Sequence, residues 1–144
     1  MISAMDTASS KTDRADATRR VRVLIVGTGF SGLCAAIQLK ERGEHDFVML
    51  ERATAIGGTW RDNTYPGCAC DVPAHLYSFS FELNPAWSHT FAPGAEIWAY
   101  LDRCADKYDL RRHIVFQQTV QAAQFDAQRA VWRVETREGG PHRQ

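Results

Sequence analysis

The stretch "VRVLIVGTGFSGLCAAIQLKERG", residues 21–43, decides the fold of this chain. It begins with a β-branched apolar run, which is typical of a strand buried on both faces of a parallel sheet. Three glycines follow at Gly27, Gly29 and Gly32, and the residues after them have nearly helical apolar spacing. The helical pattern stops at Gly43, a residue type common just beyond a helix C-terminus. The pattern therefore predicts a strand, a glycine-rich turn and a helix.

A second apolar run, "FVMLE" at 47–51, predicts the next strand and ends on a carboxylate. In a G-x-G-x-x-G turn, Gly27 permits the tight turn, Gly29 leaves room for a pyrophosphate, and Gly32 allows close helix packing. The helix N-terminus offers free N–H groups to phosphates. Glu51 lies at the spacing, about 20 residues on, where an acid binds ribose hydroxyls. This order of elements predicts a dinucleotide site, and the acid favours FAD or NAD over a cofactor that carries a 2′-phosphate. The alternative interpretation of the glycines is a plain turn.

Length and composition limit the remaining classes. The 144 residues suit one domain, and a formal net charge of zero argues against nucleic-acid and anionic-membrane partners. No apolar run approaches the roughly 18 residues of a membrane span, and four irregularly spaced cysteines do not suit a secreted disulfide framework. Residues 1–20 are polar and lack a signal-peptide core. We expect a disordered leader at 1–20, an ordered domain at 21–144 and a cytoplasmic location.

A long irregular segment follows Glu51 and is rich in aromatic residues. Segments of this kind in compact domains are usually functional, and Gly57 and Gly58 allow close backbone approach. Its aromatic residues are Trp60, Tyr65, Tyr77, Phe79, Phe81, Trp87 and Phe91. Aromatic surface suits the walls of a flat ring system, so the segment favours a flavin over a nicotinamide. Trp87 and Phe91 are expected to cover the core rather than to touch a substrate.

Four segments together carry a family resemblance: "GTGFSGLCAAIQLKERG", "LERATAIGGTW", "YPGCACDVPAHLYSFSFE" and "WSHTFAPGAEIWAYLDRCADKYDLRRHIVF". Over residues 21 to about 136 the chain resembles the N-terminal FAD domain of Baeyer–Villiger-type flavin monooxygenases. The dinucleotide fingerprint, G-G-T-W and Y-P-G-x-x-x-D-V-P at this spacing are specific in combination. The resemblance implies an α/β fold, a Rossmann-like FAD-binding βαβ domain with an appended β-meander, in incomplete form.

The resemblance also implies cofactor contacts, position by position. The FAD pyrophosphate would be held by Gly27, Gly29, Phe30, Ser31 and Gly32, and the adenosine ribose by Glu51. The path towards the flavin ring would be lined by Gly58, Thr59 and Trp60, with further contacts from Asp71 and Tyr77. Val120 would pack near the adenine.

The loop of Ala69, Cys70 and Asp71 would approach the nicotinamide of NADP. Asp71 is the catalytic candidate, because the resemblance implies that it orients an arginine of a later NADP domain beside the flavin. Its alternative role is to stabilise the loop. Many relatives carry an arginine between Y-P-G and the aspartate, whereas Cys68, Ala69 and Cys70 stand there in this chain. That departure weakens the expectation of NADP contacts in the loop.

The implied activity is an NADPH-dependent oxidation in which FAD captures oxygen as a flavin peroxide. The peroxide attacks a ketone or aldehyde carbonyl and gives an ester or lactone. The sequence contains no second G-x-G-x-x-G, so we expect the NADP domain to be absent and the chain to be a fragment or part of a split protein. The alternative function is a non-catalytic FAD-binding remnant that needs a complementing partner chain.

Two other features have more than one interpretation. The pattern Cys68-x-Cys70 has three interpretations: ordinary loop cysteines, a redox pair, or half of a metal site. We predict that no metal binds there. His75 is a structural hydrogen-bonding group or a catalytic one.

The C-terminal part of the sequence predicts a helix at 94–110, a third parallel strand at 113–117 and then a β-hairpin.

Overall fold

The computed structural model describes residues 19–138, so most of the predicted leader lies outside the described residues. The strands are β1 (Val23–Val26), β2 (Phe47–Leu50), β3 (Ile114–Val115), β4 (Gln118–Asp126) and β5 (Val131–Glu138). The helices are α1 (Phe30–Glu41), α2 (Thr59–Asp62) and α3 (Gly94–Lys107), with 3₁₀ turns at Ala74–Leu76 and Arg111–His113. The predicted order of strand, helix and strand is confirmed.

Strands β1, β2 and β3 form a parallel sheet with β2 in the centre. This is the order of the first three strands in a Rossmann sheet. All four residues of β2 are buried, as expected for a central parallel strand. Strand β1 is only partly buried, and Val26 is 63% exposed, which differs from the prediction of burial on both faces. The reason is that β1 has a strand neighbour on one side only among the described residues.

The glycine turn joins β1 to α1 as the sequence predicts. Gly27 has a φ of +89°, a backbone conformation that side-chain-bearing residues rarely adopt. Its N–H donates to the Leu50 carbonyl at 2.8 Å, which ties the turn to the end of β2. A Cβ added to Gly32 would lie 2.1 Å from the Gly27 carbonyl oxygen. Helix α1 can therefore pack this closely on the turn only because residue 32 has no side chain.

The core lies between α1, α3 and β2. Helix α1 contributes Leu33, Ala36 and Ile37. The buried residues of α3 include Ile97, Tyr100, Leu101, Cys104 and Ala105. Hydrophobic burial of these helix faces is the main force that holds the sheet and the helices together.

The two aromatic residues predicted to cover the core have different positions. Trp87 is buried in the core cluster, and its ring centroid lies 5.6 Å from that of Tyr100. Phe91 is 51% exposed, so the prediction for this residue is wrong. Its neighbour Ala92 is fully buried instead, because the backbone of this segment pairs with the loop before the 3₁₀ turn at Ala74–Leu76.

Strands β4 and β5 form the predicted antiparallel hairpin, with a register shift between Val120 and Ala122. Asp126 Oδ1 accepts the N–H groups of Gln128 and Arg129, both at 3.1 Å, and this local turn chemistry defines the hairpin end. Of the expected meander, the described residues contain these two strands. The α/β fold with a parallel sheet and an appended antiparallel part is thus confirmed. No helix within residues 19–138 has the length and apolar character needed to cross a membrane.

Candidate nucleotide-binding site

A cavity of about 570 Å³ opens where β1 and β2 end. In α/β sheets, ligands bind outside the carboxyl ends of the strands, and volumes of about 300–1,000 Å³ are usual for small-molecule sites. The structure brings together at this cavity the predicted site residues Gly27, Gly29, Glu51, Gly58, Thr59 and Val120. The β4 residue Val120 reaches the site because the chain turns from β3 directly into the hairpin.

Glu51 lies at the end of β2 and is only 3% exposed. Its Oε2 accepts the Thr28 N–H at 3.0 Å and the Thr28 hydroxyl at 2.6 Å. Its Oε1 accepts the Ala53 N–H at 2.9 Å and the Arg61 Nη1 at 3.0 Å. The carboxylate is therefore held rigidly beside the glycine turn, as expected of a group that orients a ribose.

The protonation of Glu51 follows from these contacts. Burial tends to raise the pKa of the carboxyl, because it penalises the charged form. The hydrogen bonds from Thr28 and Ala53 and the positive charge of Arg61 outweigh burial, so the pKa falls below its ordinary value of 4.5. At neutral pH, Glu51 is a buried anion facing the nucleotide cavity.

Two arginines and a second acid extend this network along the cavity wall. Arg61 Nε donates to Asp62 Oδ1 at 2.8 Å, and Arg52 Nη2 donates to Asp62 Oδ2 at 3.2 Å. Arg61 also donates to the Ala55 carbonyl oxygen. Contacts with Asp62 and Glu51 raise the pKa of Arg61 against the opposing effect of burial.

The backbone near the start of α1 suits a phosphate group. Helix α1 has twelve residues, and its N-cap residue Gly29 makes no side-chain cap hydrogen bond. The first-turn N–H groups of a helix lack intrahelical acceptors and attract anions. A Cβ on Gly29 would lie 3.7 Å from Gly58 Cα, and one on Gly58 would lie 3.1 Å from Gly29 Cα. Two side-chain-free backbones thus meet at this point of the cavity.

Two further predicted pyrophosphate residues have their side chains elsewhere. The Phe30 ring packs in an aromatic group with Tyr77 and Phe79, at centroid distances of 5.0 and 5.1 Å. Ser31 is exposed on the first turn of α1. A contact of either residue with a phosphate would therefore involve the backbone at Phe30 and the backbone or hydroxyl at Ser31.

Trp60 and Tyr77 come together beside the cavity rather than within its lining. The indole Nε1 of Trp60 donates to the Tyr77 hydroxyl at 3.2 Å, and the two rings meet edge to face. A Cβ on Gly94 would lie 3.3 Å from the Trp60 ring and 3.1 Å from Cys68 Sγ. The sequence analysis missed Gly94. Because this residue has no side chain, the start of α3 can pack against both Trp60 and Cys68.

The loop of Ala69, Cys70 and Asp71 is anchored to the segment before α3. Ala69 forms an isolated antiparallel bridge with Pro93, and the Cys70 N–H donates to the Ala92 carbonyl at 2.9 Å. Asp71 is exposed and has no hydrogen bond or ion pair with any residue in the described range 19–138. The loop lies outside the lining of the cavity, so a role of Asp71 beside a cofactor stays a hypothesis.

The other candidate groups do not form a site within the described residues. Cys68 and Cys70 are free, with Cys70 buried. His75 is exposed. Within residues 19–138, no three His, Cys, Asp or Glu side chains are grouped so as to hold a metal ion.

The sequence analysis missed Thr28 and Arg61 as parts of the site. Thr28 stands between the first two glycines, and its fully buried hydroxyl points at Glu51. A hydroxyl residue inside the glycine fingerprint is a signal that could have been noticed. Arg61 gave no comparable signal, because a charged residue after Trp60 is equally consistent with an exposed loop.

Comparison with known proteins agrees with the geometry. Residues 25–93 match the family model described as an NAD(P)-binding Rossmann-like domain. The chain is 53% identical over 119 residues to a Baeyer–Villiger monooxygenase of Streptomyces coelicolor, covering 83% of this chain and 23% of that protein. It is 44% identical over 116 residues to an FAD-binding monooxygenase of Botryotinia fuckeliana, covering 78% of this chain and 22% of the relative.

Solved structures give the same result. An oxidized steroid monooxygenase bound to NADP aligns with a TM-score of 0.75 and 39% identity, over 81% of this chain and 23% of that chain. The present chain thus spans less than a quarter of the length of these relatives. Over the residues matched, the chain carries a Rossmann-like domain, and its resemblance to the Baeyer–Villiger-type flavin monooxygenases is confirmed.

Proposed function

We propose that the cavity at the ends of β1 and β2 binds the ADP part of FAD. The observation that carries the proposal is the buried, ionised Glu51 beside the glycine turn. A fixed carboxylate at the end of the second strand accepts hydrogen bonds from ribose hydroxyls. The negative charge would repel a 2′-phosphate, so the site favours FAD or NAD over NADP.

The residues present fit this group. Gly29 and Gly58 leave backbone free of side chains at the start of α1, where a pyrophosphate would be held. The Trp60 and Tyr77 pair provides aromatic surface next to the cavity, and Val120 provides an apolar wall for the adenine. The relative from Botryotinia fuckeliana is an FAD-binding monooxygenase, which favours FAD over NAD as the occupant.

We further propose that the protein acts as an NADPH-dependent monooxygenase that inserts oxygen next to a ketone or aldehyde carbonyl. When bound, FAD supplies the redox chemistry and the activation of oxygen. Glu51 would orient the ribose, the glycine turn would hold the pyrophosphate, and the loop at Asp71 would face the nicotinamide. Asp71 is the proposed catalytic residue. In this role it would orient an arginine of the NADP domain beside the flavin.

Titration of the purified chain with FAD, FMN, NAD and NADP tests the cofactor assignment. We expect quenching of flavin fluorescence by FAD binding at one equivalent, and much weaker binding of FMN, which lacks the adenosine that Glu51 would hold. Calorimetry measures the two nicotinamide cofactors under the same conditions. Stoichiometric binding of NADP without any binding of FAD would defeat the assignment.

A second candidate function is FAD binding without oxygen transfer by this chain. It is favoured by the exposed position of Asp71, which has no partner among the described residues. The two candidates are separated by supplying the chain with FAD, NADPH, oxygen and a ketone panel. Ester formation above a free-flavin control, followed by mass spectrometry, supports the monooxygenase, and FAD binding without ester supports the second candidate.

A further inference from the structure

Within residues 19–138, one formal positive charge, that of Arg61, is bonded to the buried Glu51 carboxylate. Of its four donors, two are backbone N–H groups and one is the Thr28 hydroxyl. The fourth is the guanidinium of Arg61, whose side chain is 11% exposed while that of Glu51 is 4% exposed. An isolated buried carboxylate carries a large desolvation penalty. The hydrogen bonds from Thr28 and Ala53 and the charge of Arg61 offset this penalty together, and Arg61 supplies the full positive charge among them.

Arg61 is itself fixed by the fold. It belongs to α2, directly after Trp60, and Asp62 holds its Nε and Nη2 at 2.8 and 3.1 Å. The remaining Nη1 points at Glu51 Oε1 and the Ala55 carbonyl. Because Asp62 fixes one side of the planar guanidinium, the other side faces the Glu51 carboxylate in one orientation.

We propose that Arg61 is a positioning residue of the nucleotide site: it pins Glu51 Oε1 and places a positive charge beside the carboxylate, so that ribose binding does not change with pH between about 5.5 and 8. This inference rests on the proposed binding of FAD. Arg61 does not need to touch the nucleotide for this role, because it acts through Glu51.

The charged groups near Glu51 within residues 19–138 are two arginines and one further acid. The cavity lining contains Arg52, Arg61 and Asp62 besides Glu51 itself. The turn after β1 and the start of β4 contribute uncharged residues to the lining. Asp62 is paired with both arginines, and the hydrogen bond from Arg61 is the first of several interactions that lower its pKa. Removal of the Arg61 charge therefore leaves Glu51 with hydrogen bonds but no directly bonded cation.

The test compares Arg61→Gln, Arg61→Lys and wild type by FAD titration at pH 5.5, 6.5, 7.5 and 8. We expect wild type and Arg61→Lys to show the same flat pH profile, because both keep a positive charge beside Glu51, and Arg61→Lys to bind more weakly at every pH, because lysine lacks the fork that Asp62 orients. Arg61→Gln should lose affinity towards pH 5.5, because removal of the positive charge raises the pKa of Glu51 and the protonated carboxyl accepts a ribose hydrogen bond less well. Glu51→Gln combined with Arg61→Gln should bind weakly at every pH.

Two controls separate this role from a structural one. Arg112→Gln removes an exposed arginine paired with Asp109 and should leave the pH profile of FAD binding unchanged. Circular dichroism at each pH reports whether each variant is folded, since a merely structural role would lower the folded fraction without changing the pH dependence of binding by the folded protein.

The outcomes are distinct. A flat pH profile in folded Arg61→Gln overturns this inference and leaves the assignment of FAD intact. No FAD binding by wild type overturns the proposed function and this inference with it. If Arg61→Gln does not fold, Arg61→Met, which keeps more of the side-chain volume without the charge, takes its place: FAD affinity that falls towards pH 5.5 supports the inference, and a flat profile overturns it.

Discussion

The two ends of the proposed site differ in how completely the described residues build them. At the ribose end, Glu51 is buried and accepts four hydrogen bonds from groups on the turn, the adjacent loop and α2. At the other end, Asp71 is exposed and has no polar partner within residues 19–138. Only the backbone of the Asp71 loop is anchored, through Cys70 and Ala69.

This difference indicates that the two ends would respond differently to mutation. Groups at the ribose end are preorganised, because packing fixes them before any ligand arrives, and preorganisation reduces the free-energy cost of binding. The exposed Asp71 side chain has no such contacts within residues 19–138. Changes at the ribose end should therefore affect folding and nucleotide binding, whereas a change at Asp71 should affect stability little.

Gly29→Val should have the largest effect and abolish FAD binding. The backbone at Gly29 has a φ of −78°, and a Cβ there would make only an ordinary contact with Gly58 at 3.7 Å. The protein itself has room for the start of a side chain, so the branched group would occupy the space of the pyrophosphate. Fluorescence titration measures the loss, and circular dichroism verifies the fold. Wild-type FAD affinity in the folded variant would contradict preorganisation at this end.

Gly32→Ala should destabilise the fold rather than the ligand contact. The new Cβ would lie 2.1 Å from the Gly27 carbonyl oxygen, so α1 must shift away from the turn. Overpacking of this kind costs typically 1–3 kcal/mol, and backbone contact favours a loss of about 3 kcal/mol or more. Urea unfolding measures the change, with Gly29→Ala as a matched control. Equal stability of the two variants would show that the turn is not rigid.

Glu51→Gln should weaken FAD binding, but by less than Gly29→Val does. The substitution keeps the size of the side chain but removes the charge that strengthens hydrogen bonds to the ribose. Hydrogen bonds to charged groups contribute about 1.5–3 kcal/mol, which is tenfold or more in affinity. Titration of the folded variant with FAD and FMN checks this, because FMN binding should not change. An unchanged affinity for FAD would mean that Glu51 only supports the turn.

Asp71→Asn should have the smallest effect on the fold. An exposed side chain without a polar partner in the described residues contributes little, so we expect the free energy of unfolding to change by less than about 0.5 kcal/mol. Urea unfolding tests this expectation. A loss above 1 kcal/mol would instead favour the loop-stabilising role. With stability unchanged, any loss of turnover in an active protein would be an effect on the site.

Much of the fold could be predicted because its signals are local. The β-branched run, the glycines and the period of α1 and α3 each lie within one short segment, and the structure follows them closely. The burial of β1 and Phe91 could not be predicted in the same way. Burial depends on which elements pack against a residue, and apolar character alone does not report that.

The candidate site divides along the same line. The sequence by itself determined the glycine turn and the acid at the end of β2, because each is encoded in one short segment and the strand–helix–strand order brings the ends of β1 and β2 to the same edge of the sheet. Only the tertiary structure decided that Arg61 neutralises Glu51 and that Val120 lines the same cavity. Those contacts join separate elements, and ion pairs and cavity walls form only when the folded chain sets the distance between them.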